Sequence, residues 1–136
     1  MTFDSNRGRS LELDLAAEPE SPARVRQALR EALAGVAVDI EAVELAVSEA
    51  VANVTVHAYR DARPPGGDPG RVRVSARIDG DELWVVVTDD GVGMSPRPDS
   101  PGLGLGLPLI AQLSDALEIE QRPTGSRMVI RFHIAS

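Results

Sequence analysis

The spacing of apolar residues along the chain changes period several times, and each change marks an element. Leu11, Leu13 and Leu15 alternate with Glu12 and Asp14, the pattern of a half-buried strand. Val25, Ala28, Leu29 and Leu33 then recur at spacings of three and four, a helical stripe introduced by Ser21 as N-cap and Pro22 at the first helical position and ending near Gly35. A second helical stripe, Ile40, Val43, Val47, Ala50 and Val54, runs from a cap at Asp39 to about Tyr59. Arg60 to Gly70 is rich in Pro, Gly and Asp and is predicted as a surface loop.

Arg71 to Thr88 reads as a hairpin turning at Asp79-Gly80. That turn predicts Ile78 opposite Asp81, Ala76 opposite Leu83, Val74 opposite Val85 and Val72 opposite Val87, with one face almost wholly apolar. On the other face Arg77 is expected to meet Glu82, Ser75 to meet Trp84 and Arg73 to meet Val86. Asp89 to Gly106 is too rich in Gly and Pro to continue the sheet. Leu107 to Leu117 is predicted as a helix, Leu117 and Ile119 begin a further strand, and Gln121 to Gly125 turns. Met128, Ile130, Phe132 and Ile134 alternate as the last strand. This order predicts an α+β fold: a two-layer sandwich with a mixed, mostly antiparallel sheet and helices on one face. Residues 1–136 are expected to form one domain, with Met1 to Arg9 loose.

Composition narrows the chemistry. A net charge of −7 disfavours nucleic acid and anionic membranes as direct partners. No apolar run approaches the ~20 residues of a membrane span, and the first nine residues lack the apolar core of a signal peptide. A cytoplasmic location is therefore expected. All fourteen basic residues are Arg. A Walker A loop needs Lys against the phosphates and a eukaryotic-type protein kinase needs a strand Lys, so both are excluded. With no Cys, no HExxH and His only at 57 and 133, thiol, zinc and triad chemistry lack parts.

Two features remain. Glu49 and Asn53 are four apart on one flank of the second helix, and His57 extends the column. A carboxylate beside an amide can accept a proton and offer a neutral oxygen to a hard cation such as Mg²⁺; it can also be a solvated polar pair. Beyond the hairpin, Asp89-Asp90-Gly91-Val92-Gly93 and Gly102-Leu103-Gly104-Leu105-Gly106 bracket a loop. Glycine lets backbone N–H groups approach an anion, and a helix N-terminus favours phosphate, although turns are glycine-rich for backbone reasons alone. A Rossmann reading fails, because Pro96, Pro98 and Pro101 interrupt the first cluster before a helix can form.

In combination, Glu49-x-x-x-Asn53, Asp89-x-Gly91-x-Gly93 and Gly102-x-Gly104-Leu105-Gly106 resemble the N, G1 and G2 boxes of the GHKL ATPase superfamily, which has the Bergerat fold. The Glu49 to Tyr59 segment and the strand-helix-helix beginning look most like its stand-alone anti-sigma-factor serine/threonine kinases. The resemblance spans roughly residues 10–134.

What it implies is ATP and Mg²⁺ as cofactors. Glu49 would be the general base for an attacking hydroxyl, Asn53 would hold Mg²⁺, and Asp89 would read the adenine amino group. Gly91 and Gly93 would let adenine pack close. Gly102, Gly104, Leu105 and Gly106 would wrap the phosphates under a lid spanning about Met94 to Pro101. Ser126 stands where the family often has Thr near adenine, and His57 is expected to be a packing residue. The implied partners are an antagonist protein of the STAS type, a sigma factor and a second copy of the chain, meeting through the sheet face that carries Trp84. One departure bears on catalysis: Ser100-Pro101 stand where kinases of this family carry a basic residue, leaving Arg97 as the lid cation. A nucleotide-holding partner switch with little catalysis, and an ATPase in which Glu49 activates water, are the competing readings.

Overall fold

The computed structural model describes residues 10–55, 70–90, 103–123 and 125–135. Its elements are β1 (Ser10–Ala16), α1 (Ser21–Ala32), α2 (Ile40–Asn53), β2 (Arg71–Asp79), β3 (Glu82–Asp89), α3 (Leu103–Leu113), β4 (Ala116–Arg122) and β5 (Gly125–His133). The strands form one sheet in the order β1-β2-β3-β5-β4. The α+β class holds, but each pairing is antiparallel, so the sheet is not mixed. The reason is that β5 inserts between β3 and β4, and two strands running the same way never become neighbours.

The β2–β3 hairpin keeps the expected faces but shifts its register by two residues. Ile78 pairs with Leu83, Ala76 with Val85, Val74 with Val87 and Val72 with Asp89. Asp79 and Glu82 flank the turn, so Gly80-Asp81, not Asp79-Gly80, are its central residues. Gly80 has φ +62° and no described residue other than glycine has positive φ. A turn with positive φ only at its first central position matches the type II′ geometry, which demands Gly there. Because the shift is even, the same side chains still face the helices.

Helix α1 begins differently from the sequence expectation. Glu20 occupies the cap position without a side-chain bond, and Ser21 is already helical and buried. The Ser21 hydroxyl donates to the Ala16 carbonyl and accepts from the Glu18 N–H, tying the end of β1 to the start of α1. Asp39 caps α2 as expected, its carboxylate accepting from the Ala42 N–H at 3.2 Å. Glu44, 7% exposed, is held by Arg30 Nε and Nη2 at 3.0 Å each. This ion pair locks α1 to α2, and the Glu44 hydrogen bond raises the Arg30 pKa above its ordinary value. Helix α3 starts at Leu103, four residues before the predicted Leu107, and ends at Leu113. Pro108 lies inside it, at its sixth residue, and leaves the Gly104 carbonyl without its usual helical donor. The final strand ends at His133, so Ile134 falls just outside it, its N–H bonded to the Asp81 carbonyl at 2.7 Å.

One face of the sheet is dry. Val72, Val74, Ala76, Leu83, Val85, Val87, Met128 and Ile130 pack against Val25, Leu29, Val43, Val47, Val51 and Ile110 of the helices. Each such large side chain stabilises the fold by about 1.5–3 kcal/mol through burial. The opposite face is arranged in columns: Glu12 and Asp14 on β1, Arg71, Arg73 and Arg77 on β2, Trp84, Val86 and Thr88 on β3, Arg127 and Arg131 on β5, Glu118 and Glu120 on β4. Arg77 and Arg131 stack on Trp84, at 5.1 and 4.9 Å from the ring centroid. The Trp84 indole N–H is buried without a partner. Among the described residues no helix is long and apolar enough to cross a membrane.

Candidate functional site

Helix α2 carries the first half of the site. Its apolar stripe fixes the rotation: with Val43, Val47, Ala50 and Val54 fully buried, Glu49 is left on the half-buried flank and Asn53 turns inward at 6% exposure. The helix packs against β3 and β5 on one side and against α1 and α3 on its flanks. Asn53 is the last residue of α2, and beyond it the Val54 N–H bonds both the Ala50 and Val51 carbonyls. Asn53 Nδ2 is buried and finds no hydrogen-bond partner. A buried amide left so costs about 1–3 kcal/mol, and such groups are rare in folded proteins. An amide that can present its oxygen to a cation or its N–H to a phosphate fits this place, so the residue type and its surroundings suit the group the resemblance implies.

The second half lies at the end of β3. Asp89 is 4% exposed and pairs across the sheet with Ser126, itself 1% exposed. The Ser126 hydroxyl donates to Asp89 Oδ2 at 2.5 Å, a charge-assisted bond that fixes the carboxylate. The next residue, Asp90, turns to the surface and accepts from Arg73 at 2.9 and 3.0 Å through its two oxygens. Asp89 and Ser126 lie on the helix-facing side of the sheet, where they interrupt an otherwise apolar surface. A carboxylate held in that setting is an acceptor suited to an exocyclic amine or another neutral donor, because removing it from water makes discrimination against an unpaired ligand steep.

Sequence reasoning singled out Glu49, Asn53, Asp89 and Ser126 as candidates, but gave Gly125 only a turn. Gly125 has φ +132°, and a Cβ on it would sit 1.9 Å from the Asp89 carbonyl oxygen. The available signal was a glycine at the first residue of a strand, which marks close backbone approach. The backbones of Gly104, Leu105 and Gly106 lie in the opening residues of α3, not in a preceding loop. Gly91, Gly93, Gly102, Arg97 with the rest of the expected lid, and His57 lie outside the described residues.

Comparison with known proteins bears on the family and the fold. The family model described as a histidine kinase-like ATPase domain matches residues 15–132. The anti-sigma F factor of Clostridium beijerinckii is 32% identical over 147 aligned positions, covering 97% of this chain and 99% of the relative. That of Clostridium novyi is 30% identical over 110 positions, covering 72% and 73%. The structure of the RsbU and RsbW domains of Rv1364c from Mycobacterium tuberculosis superposes with a TM-score of 0.71 at 25% identity. It covers 92% of this chain, which spans 32% of that longer protein. The matched region runs from β1 to β5 and includes Glu49, Asn53, Asp89 and Ser126, and by this match the chain belongs to the histidine kinase-like ATPase family.

Proposed function

We propose that the chain is a Mg-ATP-dependent serine/threonine protein kinase that phosphorylates a small STAS-type antagonist protein and, in the same partner switch, holds a sigma factor. The observation that carries this reading is Asn53, buried with its amide nitrogen unpartnered, one helical turn beyond Glu49. Asn53 would contribute one oxygen to Mg²⁺, with phosphates and water supplying the rest, the usual arrangement for this reluctantly dehydrated ion. Asp89, fixed by Ser126, would accept from the adenine amino group. Glu49 would take the proton as a serine or threonine Oγ of the substrate bonds to the γ-phosphorus and the bond from phosphorus to the β-phosphate bridging oxygen breaks, releasing ADP. The anti-sigma names of the relatives support the choice of partners.

A second copy of this chain is the remaining partner in this reading. The open sheet face carries acidic columns on its outer strands, basic columns inside them and Trp84 at the centre. Two copies related by a twofold axis can set acidic columns on basic ones while covering the indole. A nucleotide-holding switch with little catalysis is favoured by one feature, Ser100-Pro101 in place of a basic residue, with Arg97 the only cation between Met94 and Pro101. Incubating the purified chain with labelled ATP and Mg²⁺, with and without antagonist proteins encoded nearby, separates the two. Label on Ser or Thr of an antagonist supports the kinase; nucleotide binding with no transfer favours the switch.

A further inference from the structure

The tight β4–β5 turn is built onto the back of the residue that would read the base. Arg122 pairs with Gly125 and Gln121 with Ser126, so the strand enters the sheet immediately beside the end of β3. At Gly125 the backbone takes φ +132° and comes so near β3 that an added Cβ would lie 1.9 Å from the Asp89 carbonyl oxygen, 2.8 Å from its carbon and 3.0 Å from Asp90 Cα. All three are main-chain atoms, which cannot swing aside as the tip of a side chain can. One residue on, the Ser126 hydroxyl donates to Asp89 Oδ2 at 2.5 Å. On the other side of β3, Val72 pairs with Asp89 and Arg73 grips Asp90. The backbone of Asp89 is thus fixed by Gly125 and its carboxylate by Ser126, from a single turn.

Resting on the nucleotide reading above, we infer that Gly125 is a positioning residue for nucleobase selectivity, acting through the Asp89 main chain without touching the base itself. A recognition carboxylate works only where its oxygens meet the donor at hydrogen-bond distance, and leaving a buried acceptor unpaired costs about 10- to 10²-fold in affinity. Any residue with a Cβ at 125 must push the β3 end away, which moves Asp89, or open the turn, which shifts the Ser126 hydroxyl that holds the Asp89 carboxylate. Ser126 supplies the matching constraint on the rotation of the carboxyl plane.

The test compares ATP and GTP affinity, by titration, for the full chain and three variants: Gly125→Ala, Ser126→Ala and Ser126→Thr. The wild-type chain is expected to prefer ATP. Gly125→Ala should lose about 10- to 10²-fold in ATP affinity with GTP affinity little changed, so that the preference collapses while cooperative thermal unfolding persists. Ser126→Ala should lose part of the preference and Ser126→Thr, which keeps the hydroxyl, should retain it. A folded Gly125→Ala chain with the wild-type ATP:GTP ratio overturns the inference while leaving the nucleotide reading intact. If Gly125→Ala does not fold, the Ser126 pair decides, and equal ratios in Ala and Thr overturn it. A wild-type chain that binds neither nucleotide overturns both.

Discussion

The two faces of the sheet obey different rules although the same strands make them. On the covered face most positions are apolar and buried, and the buried polar groups there, Asp89 and Ser126, are bonded to each other. On the open face the flanking strands are mostly charged, while the central strand carries Trp84, Val86 and Thr88 and β5 adds Val129 at 4% exposure. Polar groups on a dry face are costly unless satisfied, so their presence marks chemistry. On the open face polarity is the default, and the informative residues are apolar, above all Trp84 beside Val86 and Val129. The same physical test, a residue out of keeping with its surroundings, therefore points to a ligand site on one side and to a protein contact on the other.

The sharpest way to break that contrast is at the site end of the covered side. Glu49→Ala should lower phosphoryl transfer by roughly 10²–10⁴-fold while nucleotide affinity hardly changes. Equal loss of transfer and binding, measured side by side, would remove Glu49 from the role of base. Asp89→Ala should abolish ATP binding, seen by titration, with cooperative unfolding retained.

Stability should separate the faces next. Leu83→Ala, at a fully buried position, is expected to cost about 2–5 kcal/mol in denaturant unfolding. Glu12→Ala, on the exposed face of β1, should change stability by no more than about 0.5 kcal/mol. Comparable losses at both positions would show that the open face is covered in solution by something that the charge columns do not explain. Trp84→Glu addresses that directly: sedimentation should show a dimeric wild-type chain and a folded monomeric variant, and a variant that remains dimeric sinks the twofold contact. At the α2 cap, Asp39→Ala should cost about 0.5–2 kcal/mol in the same unfolding measurement and leave transfer unchanged.

Most of this fold was legible because its signals are local. Alternation in Leu11–Leu15 and Met128–Phe132 and the threefold and fourfold spacing in Val43–Val54 each report burial on one side, and the structure realises all of them. The hairpin register was not legible to the residue, since Asp79-Gly80 and Gly80-Asp81 are both plausible turn pairs. Only the backbone angle at Gly80 decides between them. The start of α3 was misplaced because Gly104 and Gly106 are poor helix formers in isolation, and packing of that helix against α2 overrides local preference.

By itself, the sequence determined which residue types are available: a carboxylate and an amide one turn apart, an aspartate at a strand end, arginine as the sole cation, and apolar periods that assign each side chain to a face. Only the tertiary structure decided that Asn53 is buried with an unpartnered amide nitrogen, that Ser126 donates to Asp89, and that Gly125 must lack a side chain. The division has a physical cause. Face and period follow from the geometry of a single helix or strand, whereas these three facts depend on distances between segments as much as 37 residues apart in the chain, which only the closed sheet with its helices packed against it brings into contact.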